Sequence, residues 1–314
     1  MSTSKPTVLV MADVPQWAWG RKALALQQHL SDDFDITVWY LKHGSAPDHF
    51  DLYHTFDFPN VQWSPPGKRA VTGTTAHVLR TWGPQKIQHW ARGARAIHVN
   101  SALLAAEVAG LDLHIPLYCT PNGVDEDFFQ RLRPRVATAH LVVGHVGKPN
   151  PRKGVDLLLA AVNQARYRGA DIELRLVQRT SKDALSPIEI REFYQDLHLL
   201  LVASDMDGTP NPALEAAACE VAVLGNRIGN LPEFIEDGVN GWLVEGLGPY
   251  GRADLDDAAR TKLVDAYTAR LLEASANLPA VERMGVAARA TVQDAWTWRG
   301  QAERVRPLWR AALA

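Results

Sequence analysis

Short, nearly continuous apolar runs recur along this chain, and most are followed by a stretch with apolar residues at helical spacing. Thr7–Ala12 (TVLVMA) is the first run, and Arg21–Leu30 then sets Ala23, Leu24, Leu26 and Leu30 on a helical pattern. Ile36–Leu41, Leu52–Phe56, Ala70–Thr74, Ala96–Asn100 and Ile115–Cys119 continue the strand series. Strands that lack polar alternation are buried on both faces, and the intervening helices supply the cover. The pattern predicts an α/β fold built on a parallel sheet.

Residues 130–140, QRLRPRVATAH, break the pattern and carry Arg131, Arg133 and Arg135, which read as a solvated linker. A second series follows. Strands are expected at His140–Val146, Ile172–Val177, Leu197–Ala203, Ala222–Leu224 and Trp242–Val244. Helices are expected at Val155–Tyr167, Ser186–Tyr194, Asn211–Cys219, Asp256–Ala276 and Ala280–Ala290. At about 150 residues per domain, 314 residues agree with two domains, divided as 1–134 and 135–295 with a terminal segment 296–314.

Charge and cysteine content narrow the function. The chain has 33 Lys and Arg against 35 Asp and Glu, so no global basic field draws it to nucleic acid. Cys119 and Cys219, the only two cysteines, exclude a disulfide framework and a Cys-x-x-Cys metal pair. The apolar run in MSTSKPTVLVMADVP is too short for a signal core or a membrane span. A reducing, cytoplasmic setting is the expectation.

Open parallel sheets bind ligands at the carboxyl ends of their strands, so the loops there carry the candidate chemistry. Gly144–Gly154, GHVGKPNPRKG, runs from a strand into a helix. Its Gly147 permits close backbone approach, and Lys148 and Lys153 suit a diphosphate. Pro149 after Lys148 rules out a Walker A loop. Ser204–Cys219, SDMDGTPNPALEAAAC, places Thr209 as a helix N-cap with Pro210 at the first helical position. Glu215 lies in that helix and Asp207 eight residues before it. In Gly225–Val244, the pieces Leu231-Pro232-Glu233 and Asp237–Gly241 read as turns around a short helix.

Together these segments resemble the C-terminal half of retaining glycosyltransferases of family 4, the glycosyl transferases group 1. Asp207 and Glu215 match the family's two acidic residues separated by seven others, and Thr120–Asp125 (TPNGVD) matches its element between domains. The tail from Trp296 to Trp309 is similar to the terminal helix that crosses back to the first domain. The resemblance implies the GT-B architecture: two Rossmann-like doubly wound domains facing a central cleft, the first on the acceptor side and the second holding the nucleotide sugar. It implies transfer from a UDP- or GDP-linked donor to a hydroxyl acceptor with retention, without a metal and with no cofactor beyond the donor itself.

Carried over residue by residue, Glu215 would hold the donor ribose and Asp207 the transferred sugar, with Lys148 and Lys153 flanking the diphosphate. Backbone groups at Thr209, Asn211, Pro212 and Ala213 would line the phosphate side, though Pro212 has no N–H. Lys148 stands where the family has Arg, keeping charge without bidentate geometry. Asp207 replaces a Glu and is one methylene shorter. Gly20, in QWAWG, is the one glycine where the family has a glycine-rich loop. His77 and His54 are the candidates for the family's active-site histidine, with His77 preferred. The acceptor, whether a glycan, a lipid, a small molecule or a modified DNA base, is left open, and the near-neutral charge weighs against DNA.

Two other readings compete. Asp205-Met206-Asp207 at the end of an apolar run is also similar to the Asp-x-Asp motif of metal-dependent glycosyltransferases. A non-catalytic sugar- or nucleotide-binding module would carry the same loops without turnover.

Overall fold

Alternate side chains of the first strand enter different cores. The computed structural model describes residues 4–75, 82–178, 185–245 and 256–314. In it β1 (Thr7–Ala12) sends Val8, Val10 and Ala12 to one face and Leu9 and Met11 to the other. Both faces are buried, which is why this strand reads as an unbroken apolar run.

The chain divides into two units, Met1–Gly123 with Thr297–Ala314, and Val124–Trp296. In the first, β1 joins β2 (Asp35–Tyr40), β3 (Leu52–Thr55), β4 (Ala70–Thr74), β5 (Ala96–Val99) and β6 (Leu117–Cys119). Their order is β2-β1-β3-β4-β5-β6, and every pairing is parallel. Helix α1 (Ala18–Leu30) packs Ala23, Leu26 and Leu30 onto the Val8/Val10 face. Helices α2 (Pro84–Ala91) and α3 (Ala102–Ala109) were not legible in the sequence. Each has only eight residues, too few for a clear helical period.

In the second unit β7 (Leu141–Gly147), α4 (Val155–Tyr167), β8 (Ile172–Gln178), α5 (Pro187–Gln195), β9 (Leu199–Val202) and α6 (Asn211–Ala218) come first. They are followed by β10 (Ala222–Asn226), α7 (Leu231–Phe234), β11 (Gly241–Val244), α8 (Asp257–Ala276) and α9 (Leu278–Ala295). The sheet order is β11-β10-β9-β7-β8, again all parallel. Leu141, Val143, Leu199 and Leu201 face α4 and α8, while Val142, Val146, Leu200 and Val202 face α5, α6 and α9. Strand β7 has β8 on one side and β9 on the other, so the winding reverses there. That is where an open α/β sheet offers a ligand the ends of two strands.

The terminal helix α10 (Trp298–Leu313) belongs to the first unit. Thr297 caps it through Gly300 N–H, and Ala302, Val305, Leu308 and Trp309 enter the α1 core. Arg306 pairs with Asp33 and with Glu303 on its own helix.

The linker reading of residues 130–140 is corrected here. The units part at Gly123/Val124, not at 134/135. Arg131 donates to the carbonyls of Gln195 and Cys219, and Arg135 to that of Glu220. These carbonyls stand at the C-terminal ends of α5 and α6, where unpaired acceptors and the negative helix pole attract a guanidinium. Their side chains keep only 12% and 9% exposure. Arg133 alone is exposed, and it pairs with Glu192 and Asp196. Among the described residues, no helix is long and apolar enough to cross a membrane.

Candidate active site

Two loops meet beyond the carboxyl ends of β7 and β9. The first leaves β7 at Gly147, turns through a single 3₁₀ turn at Pro151–Lys153, and enters α4 at Gly154. Gly154 has φ +71 and lies against the Ala203 carbonyl, so a side chain there would be strained and would collide. The second loop follows β9 through Asp205 and Asp207. Asp205 N–H donates to the Arg152 carbonyl at 2.9 Å, which ties the two loops together. Lys153 Nζ donates to Asp207 Oδ2 at 2.8 Å. The Asp207 charge raises the Lys153 pKa against the opposing effect of desolvation. Lys148 is exposed on the first loop.

Helix α6 starts at Asn211, as its spacing predicts, and one residue later than a Thr209 cap implies. Pro210 occupies the N-cap position without a side-chain cap bond, so Thr209 is not the N-cap. The Thr209 hydroxyl instead accepts from Asn230 Nδ2 at 3.3 Å, a tertiary partner 21 residues away. Ala213 N–H donates to the Pro210 carbonyl at 2.8 Å, and Pro212 has no N–H. The expected row of phosphate-facing amides at Asn211, Pro212 and Ala213 is therefore thinner than the resemblance implies. Glu215 is 2% exposed, and its Oε2 accepts from the Tyr194 hydroxyl at 3.0 Å. Tyr194 lies on α5, so α5 and α6 together position that carboxylate.

In the first unit, His77 lies outside the described residues. His54 is corrected from an active-site candidate to a core residue. It is 0% exposed, its Nδ1 accepts from Trp309 Nε1 at 2.8 Å, and its ring lies 4.6 Å from that of His98. Position 54 on β3 faces the terminal helix, a contact no local pattern announces. Burial holds its pKa well below the ordinary histidine value. Gly20 lets α1 pack against the Val14 carbonyl, where a Cβ would collide. Lys22, also on α1, is buried with its Nζ donating to Asn100 Oδ1 at 3.1 Å and to the Thr120 carbonyl. Desolvation pulls its pKa down to about 7.

Residues 140–254 match the family model described as glycosyl transferases group 1. Over that stretch the second unit is similar to the group 1 glycosyltransferases. The chain is 29% identical over 224 residues to the GDP-mannose-dependent alpha-(1-6)-phosphatidylinositol monomannoside mannosyltransferase of Mycolicibacterium smegmatis, covering 60% of this chain and 54% of that one. It spans about half the length of the curated relatives it matches. Its fold is similar to that of sucrose-phosphate synthase from Thermosynechococcus elongatus, with TM-score 0.78, 13% identity and 98% of both chains covered. It is also similar to Anabaena HepE in complex with UDP-glucose, with TM-score 0.68 and 12% identity over 97% of this chain and 99% of that one. These likenesses establish the two-domain GT-B fold.

The second unit holds one polar residue that the loop pattern did not single out. His145, on β7, is 2% exposed, and its Nδ1 donates to the Leu201 carbonyl at 2.9 Å. A Cβ on Gly147 would lie 2.7 Å from His145 Nε2, so the glycine makes room for the ring. The signal was present in the sequence, a histidine two residues before Gly147 within an otherwise apolar strand. In the same domain Asp205 is 7% exposed and Asp207 is paired with an ammonium, so the two acids of the Asp-x-Asp stretch are in different environments. Among the described residues, no three His, Cys, Asp or Glu side chains gather to hold a metal ion.

Proposed function

We propose that this chain is a retaining glycosyltransferase that moves a sugar from a UDP- or GDP-linked donor to a hydroxyl acceptor without a metal ion. The Lys153–Asp207 pair at the winding reversal of the second sheet carries this reading. The leaving group of such a transfer is a nucleoside diphosphate. Fixed cations beside it act on charge that grows in the transition state, at about 3 kcal/mol per well-placed donor. Lys153 and Lys148 supply those cations. Asp207 accepts hydrogen bonds from hydroxyls of the transferred sugar, and Glu215 from the donor ribose. The ion pair holds both side chains in place before the donor arrives, which reduces the reorganisation needed at the moment of reaction. The first unit carries the acceptor, and retention follows if the new bond forms on the face the nucleotide leaves.

The test is thermal stability with UDP-, GDP- and ADP-linked sugars, each in EDTA and in manganese. A donor at a hundred times its Kd adds about 2.7 kcal/mol, a shift of several degrees. Stabilisation by one donor in EDTA, followed by NMR of the product anomer, supports the reading. Stabilisation only with manganese returns the Asp-x-Asp reading, and binding without turnover makes the chain a binding module.

A further inference from the structure

His145 stands directly beneath the loop assigned to the donor diphosphate, and its chemistry is unspent. Because Nδ1 donates to the Leu201 carbonyl, the neutral ring carries its proton there and presents a lone pair at Nε2. That Nε2 is buried and has no hydrogen-bond partner among the described residues. It points at the Gly147 backbone, and the same space is bordered by the Lys153 side chain, whose Cγ would lie 3.3 Å from a Cβ on Gly147. A buried acceptor without a donor is costly, so its persistence at the mouth of a loop calls for a second state in which it is used.

We propose that His145 takes up a proton at Nε2 when a nucleotide sugar occupies the Gly147–Lys153 loop, and that the resulting imidazolium is a third cation facing the diphosphate. The proposal rests on the donor-site reading above. The proton comes from hydronium or a buffer acid, whose own bond to it breaks as Nε2–H forms, and no bond of the nucleotide sugar changes. In the free protein, desolvation and the Lys153 charge hold the ring neutral by lowering its pKa. A bound diphosphate brings two negative charges, which offset Lys153 and favour the charged ring. The charged groups of the surrounding loops are Lys148, Arg152, Lys153, Asp205 and Asp207. Lys153, paired with Asp207, has its pKa raised by that carboxylate and keeps its proton at neutral pH. His145 Nε2, a buried ring acceptor beside Gly147 and Lys153, is where the added proton would sit.

Calorimetry of the whole protein with UDP-glucose and GDP-mannose tests this. Neither diphosphate diester titrates near neutrality, so any linked proton belongs to the protein. In buffers of differing ionisation enthalpy, the bound donor should draw in about half a proton near pH 7. Its Kd should be at least about ten-fold lower at pH 5.5 than at pH 8.5. His145→Asn keeps an N–H to offer the Leu201 carbonyl but cannot titrate, and its Kd should be flat over that range. Binding to the wild type without proton uptake overturns the proposal and leaves the donor site standing, and that measurement stands if the variant misfolds. Uptake that persists in His145→Asn assigns the proton elsewhere and also overturns it. If neither nucleotide sugar binds at all, the donor-site reading itself fails.

Discussion

Lys153 Nζ lies 2.8 Å from Asp207 Oδ2, and this one ion pair joins the loop after β7 to the loop after β9. The two side chains are 28% and 20% exposed, so water screens the pair only in part. Their pairing brings a phosphate-type cation and a hydroxyl-type acceptor to one point, 54 residues apart in sequence.

Breaking that pair should affect turnover far more than folding. Lys153→Met and Asp207→Asn are each expected to cost about 1 kcal/mol of stability, the range of a partly exposed ion pair. Each should lower transfer about 100-fold. The Lys153 pKa is raised on folding, so the pair's stabilisation is present at neutral pH and is lost only as pH climbs through the raised value, above 10.5. Urea denaturation and initial rates on the same preparations check both effects.

Glu215 and Tyr194 separate binding from folding. Glu215→Gln keeps an oxygen to accept from the Tyr194 hydroxyl, so the melting temperature should move little while donor affinity falls at least about ten-fold. Tyr194→Phe should destabilise by about 1 kcal/mol and leave donor affinity within a factor of three or so. Calorimetric titration with nucleotide sugar decides. Unchanged affinity in Glu215→Gln would remove the ribose assignment.

Acid should loosen the first unit through its buried histidines. His54 is held well below 6.5 and His98 is pulled down to about 3, both chiefly by desolvation. Below pH 6.5 the unfolded chain binds protons that the folded one refuses, so stability falls as pH drops from 6.5 towards about 3. Each histidine contributes up to about 1.4 kcal/mol per pH unit in that window. Trp309→Phe, which removes the donor to His54, should cost about 1–3 kcal/mol at neutral pH. Denaturation monitored between pH 7 and pH 4 gives the slope, which His98→Gln should reduce.

Lys22 extends the same direction of change into alkali. Its folded pKa of about 7 lies below the 10.5 of the free side chain, so between these values the unfolded state binds more protons. Stability should therefore rise with pH through that window in the wild type, and rise less in Lys22→Met. Guanidinium unfolding of the two proteins at pH 7 and pH 9 supplies the comparison. Parallel curves would mean that Lys22 keeps its proton when folded.

The alternation of apolar runs and helical spacing was enough to place all eleven strands within about two residues of their observed ends, because both faces of each sheet are buried and the runs are uninterrupted. It also placed α1, α4, α5, α6 and α8 closely, and marked both loops whose ends meet at β7 and β9. These are local signals, set by residue type and spacing within a dozen positions. What the sequence did not yield depends on distant partners. His54 is a core residue because Trp309, 255 positions away, donates to it. Arg131 and Arg135 are structural because the helix ends they bind lie in α5 and α6. The Thr209 hydroxyl accepts from Asn230, and Pro210 stands at the cap position. Backbone periodicity fixes which face a side chain takes, whereas a hydrogen bond or ion pair needs the actual neighbour, and only the folded chain supplies that. The sequence by itself determined two wound sheets and the loops worth inspecting. The tertiary structure decided that Lys153 faces Asp207, that Glu215 is buried behind Tyr194, and that the His145 lone pair lies beneath Gly147.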